Sequence, residues 1–391
     1  MTVRSVTLRA PKCQNEANAA TRGGQSTTTA RREVGVTNPA EGKNDTHNAD
    51  NRTSVTLQSI AKRANVHIST VSRALDPHPA RKVSAETVAK IRAIAQELGF
   101  EPNPWARSLR TNRTRTLGLV IPRLVDNVLA VVFESAEYSA IHLGYQAITV
   151  STGDDPERGR EAIRLLLDRR VDGLVIATAR MNDPIIDDLS AKQVPFVLLN
   201  RSNGDNVCMR GDDELGAYLA TRHLLERGHR RIAHAEGISG TSTSLGRSKG
   251  YARALRDAHL DVDERLVVES GLAIDGGIAV GKQLLTGDHP PTAIFATNDY
   301  VAVGLMAAAR DLHLRVPDDV AIVGFNDTSI GEALQVPLSS VAIPLPRMGS
   351  RAVEALVDLV EGRPVESEVF QPELKIRASS ALRVGPSLLK Q

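Results

Sequence analysis

The spacing of apolar residues changes character twice along the chain. Residues 1–53 show no apolar periodicity and are rich in Thr, Asn, Gly and Ala. A segment with so little to bury cannot offset the entropy of ordering, so it reads as a disordered extension. From Thr56 the pattern becomes helical. "TLQSIAKRANV" sets Leu57, Ile60, Ala61 and Ala64 at i, i+3, i+4 and i+7, one face of a two-turn helix with Thr56 as N-cap. Asn65 stands where the chain must turn, and Asn tolerates left-handed backbone. A second helix, "ISTVSRAL", turns Val71, Ala74 and Leu75 inward. The third, "SAETVAKIRAIAQEL", starts at a Ser84 cap, buries Val88, Ile91, Ala95 and Leu98, and stops at Gly99. Two short helices joined by a tight turn and braced by a third predict a helix-turn-helix domain.

After Arg115 the pattern changes again, to short apolar runs at intervals of roughly 20 to 35 residues. These are "TLGLVIP", "QAITVST", "DGLVIAT", "FVLLN", "RIAHAEG", "RLVVES", "AIFATND" and "VAIVGFND", with helical stretches such as "EAIRLLLDRR", "ELGAYLATRHLLERG" and "YVAVGLMAAARDL" between them. That alternation predicts parallel sheets covered by helices on both faces, and so many residues call for two lobes. The resulting organisation is an extension (1–53), an all-α helix-turn-helix headpiece (54–101), a linker (102–115), a two-lobed α/β body (116–383) and a short tail (384–391).

Composition narrows the class. With 41% apolar and 24% charged residues the chain is globular. Its longest apolar stretches, such as Val301 to Ala309, are too short to span a membrane, and "MTVRSVTLRAPKCQNE" has no apolar core of an export signal. Cys13 and Cys208 match neither a metal spacing nor a disulfide framework, which fits a reducing, cytoplasmic setting and predicts no metal and no cofactor. The net charge of +2 conceals an uneven distribution: residues 54–115 carry +7, residues 1–53 carry +3, and the remainder carries −8. A basic block on an acidic body suits a polyanionic partner for the block alone, although a basic face that binds nothing would look the same.

The blocks "VTLQSIAKRANVHISTVSRALD" and "VSAETVAKIRAIAQELGFEPNPWARSLRTNRTRTLGLVIP" resemble the lactose- and galactose-repressor family of bacterial transcription factors. The likeness continues through "DRRVDGLVIA", "HLLERGHRRIA", "GRSKGYARAL", "PTAIFATND" and "RVPDDVAIVGFND". It implies a homodimeric regulator, most often a repressor, that binds an imperfect palindrome in double-stranded DNA under the control of a small-molecule effector, with no membrane partner. Ile68 and Ser69 then occupy the positions that mostly set base preference, and Arg73 suits guanine. Thr70 and Ser72 suit phosphates. Packing of Ile68 against Val71 and Leu75 is the competing reading. His67 departs from the family's usual Ser, implying a weaker cap or an added phosphate contact. The resemblance also makes "WARSLR" a hinge helix, with Asn103 as cap, Pro104 at its first position, Leu109 as a wedge in the DNA minor groove, and Arg107 and Arg110 flanking it.

Ligands of open parallel sheets bind at the carboxyl ends of the strands, here marked by Asp126–Asn127, Asn200–Arg201, Asn298–Asp299 and Asn326–Asp327. By resemblance Arg247, Asn200 and Asp299 belong to the effector pocket, with Asp327 divided between pocket and loop bracing. Val128, Leu129 and Leu272 stand where family members that bind purines or pyranoses often carry aromatic rings. A sugar, polyol or sugar acid follows as the expected effector, Arg201 and Arg247 favouring the acid. "GRSKG" also satisfies the G-x-S-x-G pattern of serine hydrolases with Ser248 as nucleophile, but about nine residues separate it from the preceding strand, where that mechanism needs a sharp elbow. No catalytic residue is therefore expected. A regulator without ligand sensing, a sugar-binding protein and a sugar-modifying enzyme remain as alternatives.

Overall fold

Each of the three N-terminal helices begins on a side chain that satisfies its first amides. In α1 (Leu57–Ala64), Thr56 Oγ1 accepts from the Ser59 amide at 3.3 Å while Ser59 Oγ accepts from the Thr56 amide at 3.1 Å, a reciprocal capping box. Asn65 ends the helix at φ 57, the left-handed turn anticipated for it. α2 (Ile68–Ala74) follows α1 after three residues, and α3 (Ala85–Glu97) starts at Ser84, whose hydroxyl accepts from the Thr87 amide. Gly99, at φ 65, turns the chain away. Ile60, Val71 and Ile91, one from each helix, are fully buried against one another, with Ala61, Ala64, Ala74 and Ala95 filling the space between. The chain divides between Phe100 and Glu101 into two units. This computed structural model describes residues 55–75, 83–100, 113–124 and 127–381. The proposed extension, the residues of the hinge helix and the tail fall outside the described residues.

The second unit holds two sheets. The first lobe contains β1 (Thr116–Ile121), α4 (Asn127–His142), β2 (Gln146–Ser151), α5 (Pro156–Asp168), β3 (Gly173–Ile176), α6 (Pro184–Ala191), β4 (Phe196–Leu199) and β5 (Cys208–Gly211). The chain then crosses to α7 (Asp213–Glu226), β6 (Ile232–Glu236), α8 (Ser242–Asp257), β7 (Val267–Glu269), α9 (Ile274–Leu285), β8 (Ala293–Ala296), α10 (Asp299–Asp311), β9 (Ala321–Asn326), α11 (Ser329–Ala333) and β10 (Ser339–Ala342). It returns through α12 (Leu345–Val360) and β11 (Glu368–Phe370), and crosses a third time to β12 (Glu373–Lys375). The strand orders are β11-β5-β4-β3-β1-β2 and β12-β10-β9-β8-β6-β7. Every pairing is parallel except that of β12 with β10.

All eight expected strands are present. β5, β10, β11 and β12 went unanticipated because polar residues interrupt each of these short strands, leaving no apolar run to mark it. β3, β4 and β8 are buried at every position, which is why they read as unbroken apolar runs.

The helices pack closely where glycine permits. A Cβ on Gly250 would lie 2.1 Å from the Glu214 carbonyl oxygen, so α7 and α8 approach to a distance no other residue allows. Gly250→Ala must separate them and is expected to cost about 1–3 kcal/mol. Thermal or urea unfolding reads this directly, and an unchanged midpoint would contradict the close approach.

Candidate functional site

In the headpiece, α2 presents its polar face outward. Ile68 is 42% exposed, so it does not belong to the core, and the packing alternative fails. Ser69 is exposed, while Thr70, Ser72 and Arg73 are half-buried. His67 does cap the helix: its Nδ1 accepts from the Ser69 amide at 3.2 Å and lies 2.8 Å from Ser69 Oγ, which requires that nitrogen to be unprotonated. Arg73 folds back along the helix, Nε donating to the Ser69 carbonyl at 3.0 Å. A guanine contact by Arg73 would therefore require that bond to be exchanged.

In the second unit the carboxyl ends of both sheets converge on a cavity of about 350 Å³. Pro122 and Arg123 follow β1, Asp154 follows β2, Ala177 follows β3, and Asn200 and Arg201 follow β4. The second lobe contributes Thr243 and Arg247 from α8, the stretch Leu272–Asp275 where α9 begins, Asn298 and Tyr300 at the start of α10, and Asn326 at the end of β9. Two hydrogen bonds join the lobes beside it: Met181 N to Gly240 O at 3.0 Å, and Ser202 N to Ser242 Oγ at 2.8 Å.

Of the expected effector residues, Val128, Leu129, Asn200, Arg201, Arg247 and Leu272 line this cavity. The side chain of Asn127, like Asp126, lies outside the described residues. Asp299 and Asp327 do not line it. Asp299 is fully buried beneath the wall, accepting from the Thr328 amide at 2.6 Å and from the hydroxyls of Thr328 and Ser340. Asp327 pairs with Arg377 and braces the C-terminal strand segment. In the Asn298–Asp299 and Asn326–Asp327 pairs the first residue meets the cavity, and the second bonds elsewhere. Asn298 serves twice, capping α10 through the Val301 amide and donating to the Leu272 carbonyl. Asp154 and Tyr300 were not anticipated. An acid directly after a strand, in "STGDDP", was a signal available for the first; the second lies one residue beyond the pair that drew attention. Tyr300 returns an aromatic ring to a wall from which rings were expected to be missing.

The two buried arginines of the wall already have carboxylate partners. Arg247, 5% exposed, donates through Nε to Asp213 Oδ1 at 2.9 Å and through a terminal nitrogen to the Thr297 carbonyl, and its guanidinium stacks 3.8 Å from the Phe325 ring centre. Burial pushes the Asp213 carboxyl upward from its ordinary value, and Arg247 opposes that shift. Arg201, also buried, pairs with Asp154 at 3.2 Å, and Asp154 further holds Arg123 at 3.4 Å.

The hydrolase-like pattern dissolves in this geometry. Gly246 to Gly250 lie inside α8 rather than at an elbow, the glycines serve the packing on α7, and Ser248 donates to Glu236. His234 is buried between Phe295 and Tyr251, with Nδ1 3.2 Å from the Phe295 carbonyl oxygen. His223 pairs with Ser380.

Comparisons with known proteins agree with both units. Residues 56–103 match the bacterial regulatory proteins of the lacI family, and residues 221–380 match the periplasmic binding protein-like domain. The HTH-type transcriptional repressor PurR of Vibrio atlanticus (strain LGP32) is 30% identical over 331 residues, covering 83% of this chain and 98% of its own. The chain belongs to the lacI family. The PurR repressor of Klebsiella pneumoniae (strain 342) is likewise 30% identical, over 85% of this chain and 98% of its own. Among solved structures, the lac repressor dimer bound to operator and the anti-inducer ONPF superposes with a TM-score of 0.73 at 26% identity, over 84% of this chain and 99% of that one. The complex of the transcriptional regulator CelR with cellobiose does so at 0.63 and 29%, over 83% and 99%. The lacI-family chain is accordingly a DNA-binding transcriptional repressor, and its relatives are repressors rather than enzymes.

Burial lowers the His234 pKa to about 4, so the folded protein keeps that ring neutral while the unfolded chain protonates it near pH 6.5. The unfolded state then binds more protons between these values. This contribution to stability is complete above pH 6.5 and is lost as pH falls toward 4, by roughly 3 kcal/mol. Urea unfolding of wild type and His234→Phe from pH 7 to 4.5 should show a shallower decline in the variant; parallel declines would refute the assignment.

Proposed function

We propose that the chain is a homodimeric, cytoplasmic repressor whose affinity for a palindromic operator is set by a small neutral polyhydroxylated effector held between the lobes. Ile68 and Ser69, with the neighbouring Thr70, Ser72 and Arg73, read and position the DNA major groove. Asn103, Arg107, Leu109 and Arg110 form the minor-groove segment, Leu109 prying apart the central step. The observation that carries the effector reading is the cavity itself: strand ends from both sheets, polar groups from each, and two hydrogen bonds that close one lobe on the other.

The matched charges revise the preference for a sugar acid. Arg123, Arg201 and Arg247 are offset by Asp154, Asp213 and Asp275, so the wall carries no net charge that calls for an anionic ligand. A hydroxylated molecule can bridge such pre-oriented donors and acceptors without adding charge. The volume sits at the small end of ligand pockets, which suits a compact sugar or polyol. The cellobiose held by the CelR relative is a ligand of that chemistry.

Selection from random DNA should return a two-fold symmetric site, bound with affinity that falls steeply with salt. Protein that fails to discriminate among duplexes would end the regulator reading. On that operator complex, neutral sugars and polyols should change affinity about 5- to 150-fold, and Arg247→Lys should abolish the response while leaving effector-free binding intact. A panel in which only sugar acids or purines act would overturn the neutral-effector reading.

A further inference from the structure

Segment 113–115, where the chain passes into the first lobe, is held by a single carboxylate. Asp172 Oδ1 accepts from the Thr114 amide at 2.7 Å and from the Thr114 hydroxyl at 2.9 Å, and Oδ2 accepts from the Arg115 amide at 2.9 Å. The Thr114 hydroxyl also lies 2.9 Å from the Arg170 carbonyl oxygen. Backbone bonds lock the same junction: Asp172 N donates to Thr116 O at 2.7 Å, and Gln146 N to Arg115 O at 2.8 Å. Arg113 reaches the Val360 carbonyl at the end of α12 at 2.9 Å, and the Arg115 guanidinium lies 4.9 Å from the Tyr145 ring centre. Arg115 and Arg170 both adopt left-handed backbone, at φ 55 and 56. Arg170 is the left-handed residue that ends α5, as Gln193 and His259 end α6 and α8, whereas Arg115 follows no helix and is held in that conformation by the bonds around it.

So many constraints exceed what starting a strand requires. Asp172 immediately precedes β3, and Arg115 immediately precedes β1. These two interior strands pair with each other, Leu117 beside Gly173 through Val120 beside Ile176. At their far ends Pro122, Arg123 and Ala177 line the effector cavity. One clamp therefore sits at the near end of both strands, and one cavity at the far end.

We infer that Asp172 is a positioning residue for DNA recognition, making residues 113–115 part of the rigid first lobe so that the lobe's orientation is passed to the segment immediately before them. The inference rests on the regulator reading above. Without the carboxylate, residues 113–115 would keep only their bonds to Val360, Arg170 and Gln146, and the minor-groove segment would lose part of its fixed origin. Affinity for any duplex would survive, since phosphate contacts need no exact placement, while preference for the operator would fall.

The test uses the full chain, its selected operator duplex, and a scrambled duplex of equal length and composition at matched salt. Asp172→Asn should reduce the ratio of operator to scrambled affinity about tenfold, the worth of one charge-assisted hydrogen bond, with scrambled affinity changed less than about twofold. Asp168→Asn, which neutralises an exposed carboxylate of the same lobe, should leave the ratio unchanged and so controls for charge. Trp105 is the sole tryptophan, so its operator-induced emission change should shrink in Asp172→Asn alone. If that variant does not fold, Thr114→Val should still lower the ratio about threefold, because it removes the hydroxyl bonds only. A wild-type ratio in folded Asp172→Asn or Thr114→Val would overturn the clamp. A wild-type protein indifferent to sequence would instead overturn the regulator reading.

Discussion

The buried pair of Arg247 and Asp213 is the interaction on which the second unit depends. Asp213 opens α7 directly after the first crossing between lobes, and Arg247 reaches it from α8. The same guanidinium touches the end of β8 through Thr297 and the β9 ring of Phe325. Removing either charge would leave the other stranded out of water, a loss on the order of 3–5 kcal/mol. An apolar pair of equal volume would hold the helices as well. What it would not do is present a fixed, hydrogen-bonding cation to a ligand at the point where the chain crosses from one lobe to the other.

That placement explains how so small a cavity can act on a large body. Three crossings join the lobes, at residues 211–213, 342–345 and 370–373, and the cavity lies at the strand ends of both sheets. The bonds from Met181 to Gly240 and from Ser202 to Ser242 are few, and each is worth only about 1 kcal/mol net. A ligand that joins Arg201 and Asn200 on one side to Arg247 and Asn298 on the other adds bonds of the same kind across the same gap. Contacts so few leave the lobe arrangement within reach of a ligand's binding energy.

Much of this was legible in the sequence because the signals were local. Thr56, Asn65, Ser84 and Gly99 mark helix ends by side-chain chemistry alone, and all four act as expected. The eight expected strands announce themselves by apolar runs, buried throughout in β3, β4 and β8. The remaining four do not, since polar residues interrupt them and their pairing depends on neighbours distant in sequence. The cavity lining was legible in part: strand-end pairs pointed to Asn200, Arg201, Asn298 and Asn326 but not to Asp154, and which member of a pair faces the cavity depends on how the helix start turns. Gly324 illustrates why. A Cβ there would lie 2.3 Å from an Asp299 carboxylate oxygen, so the space that takes Asp299 inward is made by a residue on a neighbouring strand. The partners of Arg201 and Arg247 were hidden for the same reason, being 47 and 34 residues away.

The parallel sheet also settles where a signal from the cavity can go. In such a sheet every strand that ends at the ligand begins at the opposite edge, so the first lobe has one wet, adaptable end and one anchored end. β1 and β3 span it in six and four residues, too short and too buried to flex independently. On the proposed regulator reading, these strands carry a rotation of the lobe about its crossings to Asp172 and residues 113–115. Had the linker joined the body at an edge strand such as β2, whose residues are largely exposed, local bending would absorb part of that motion. With the junction on two interior strands, the proposed effector cavity and the linker lie at opposite ends of one lobe.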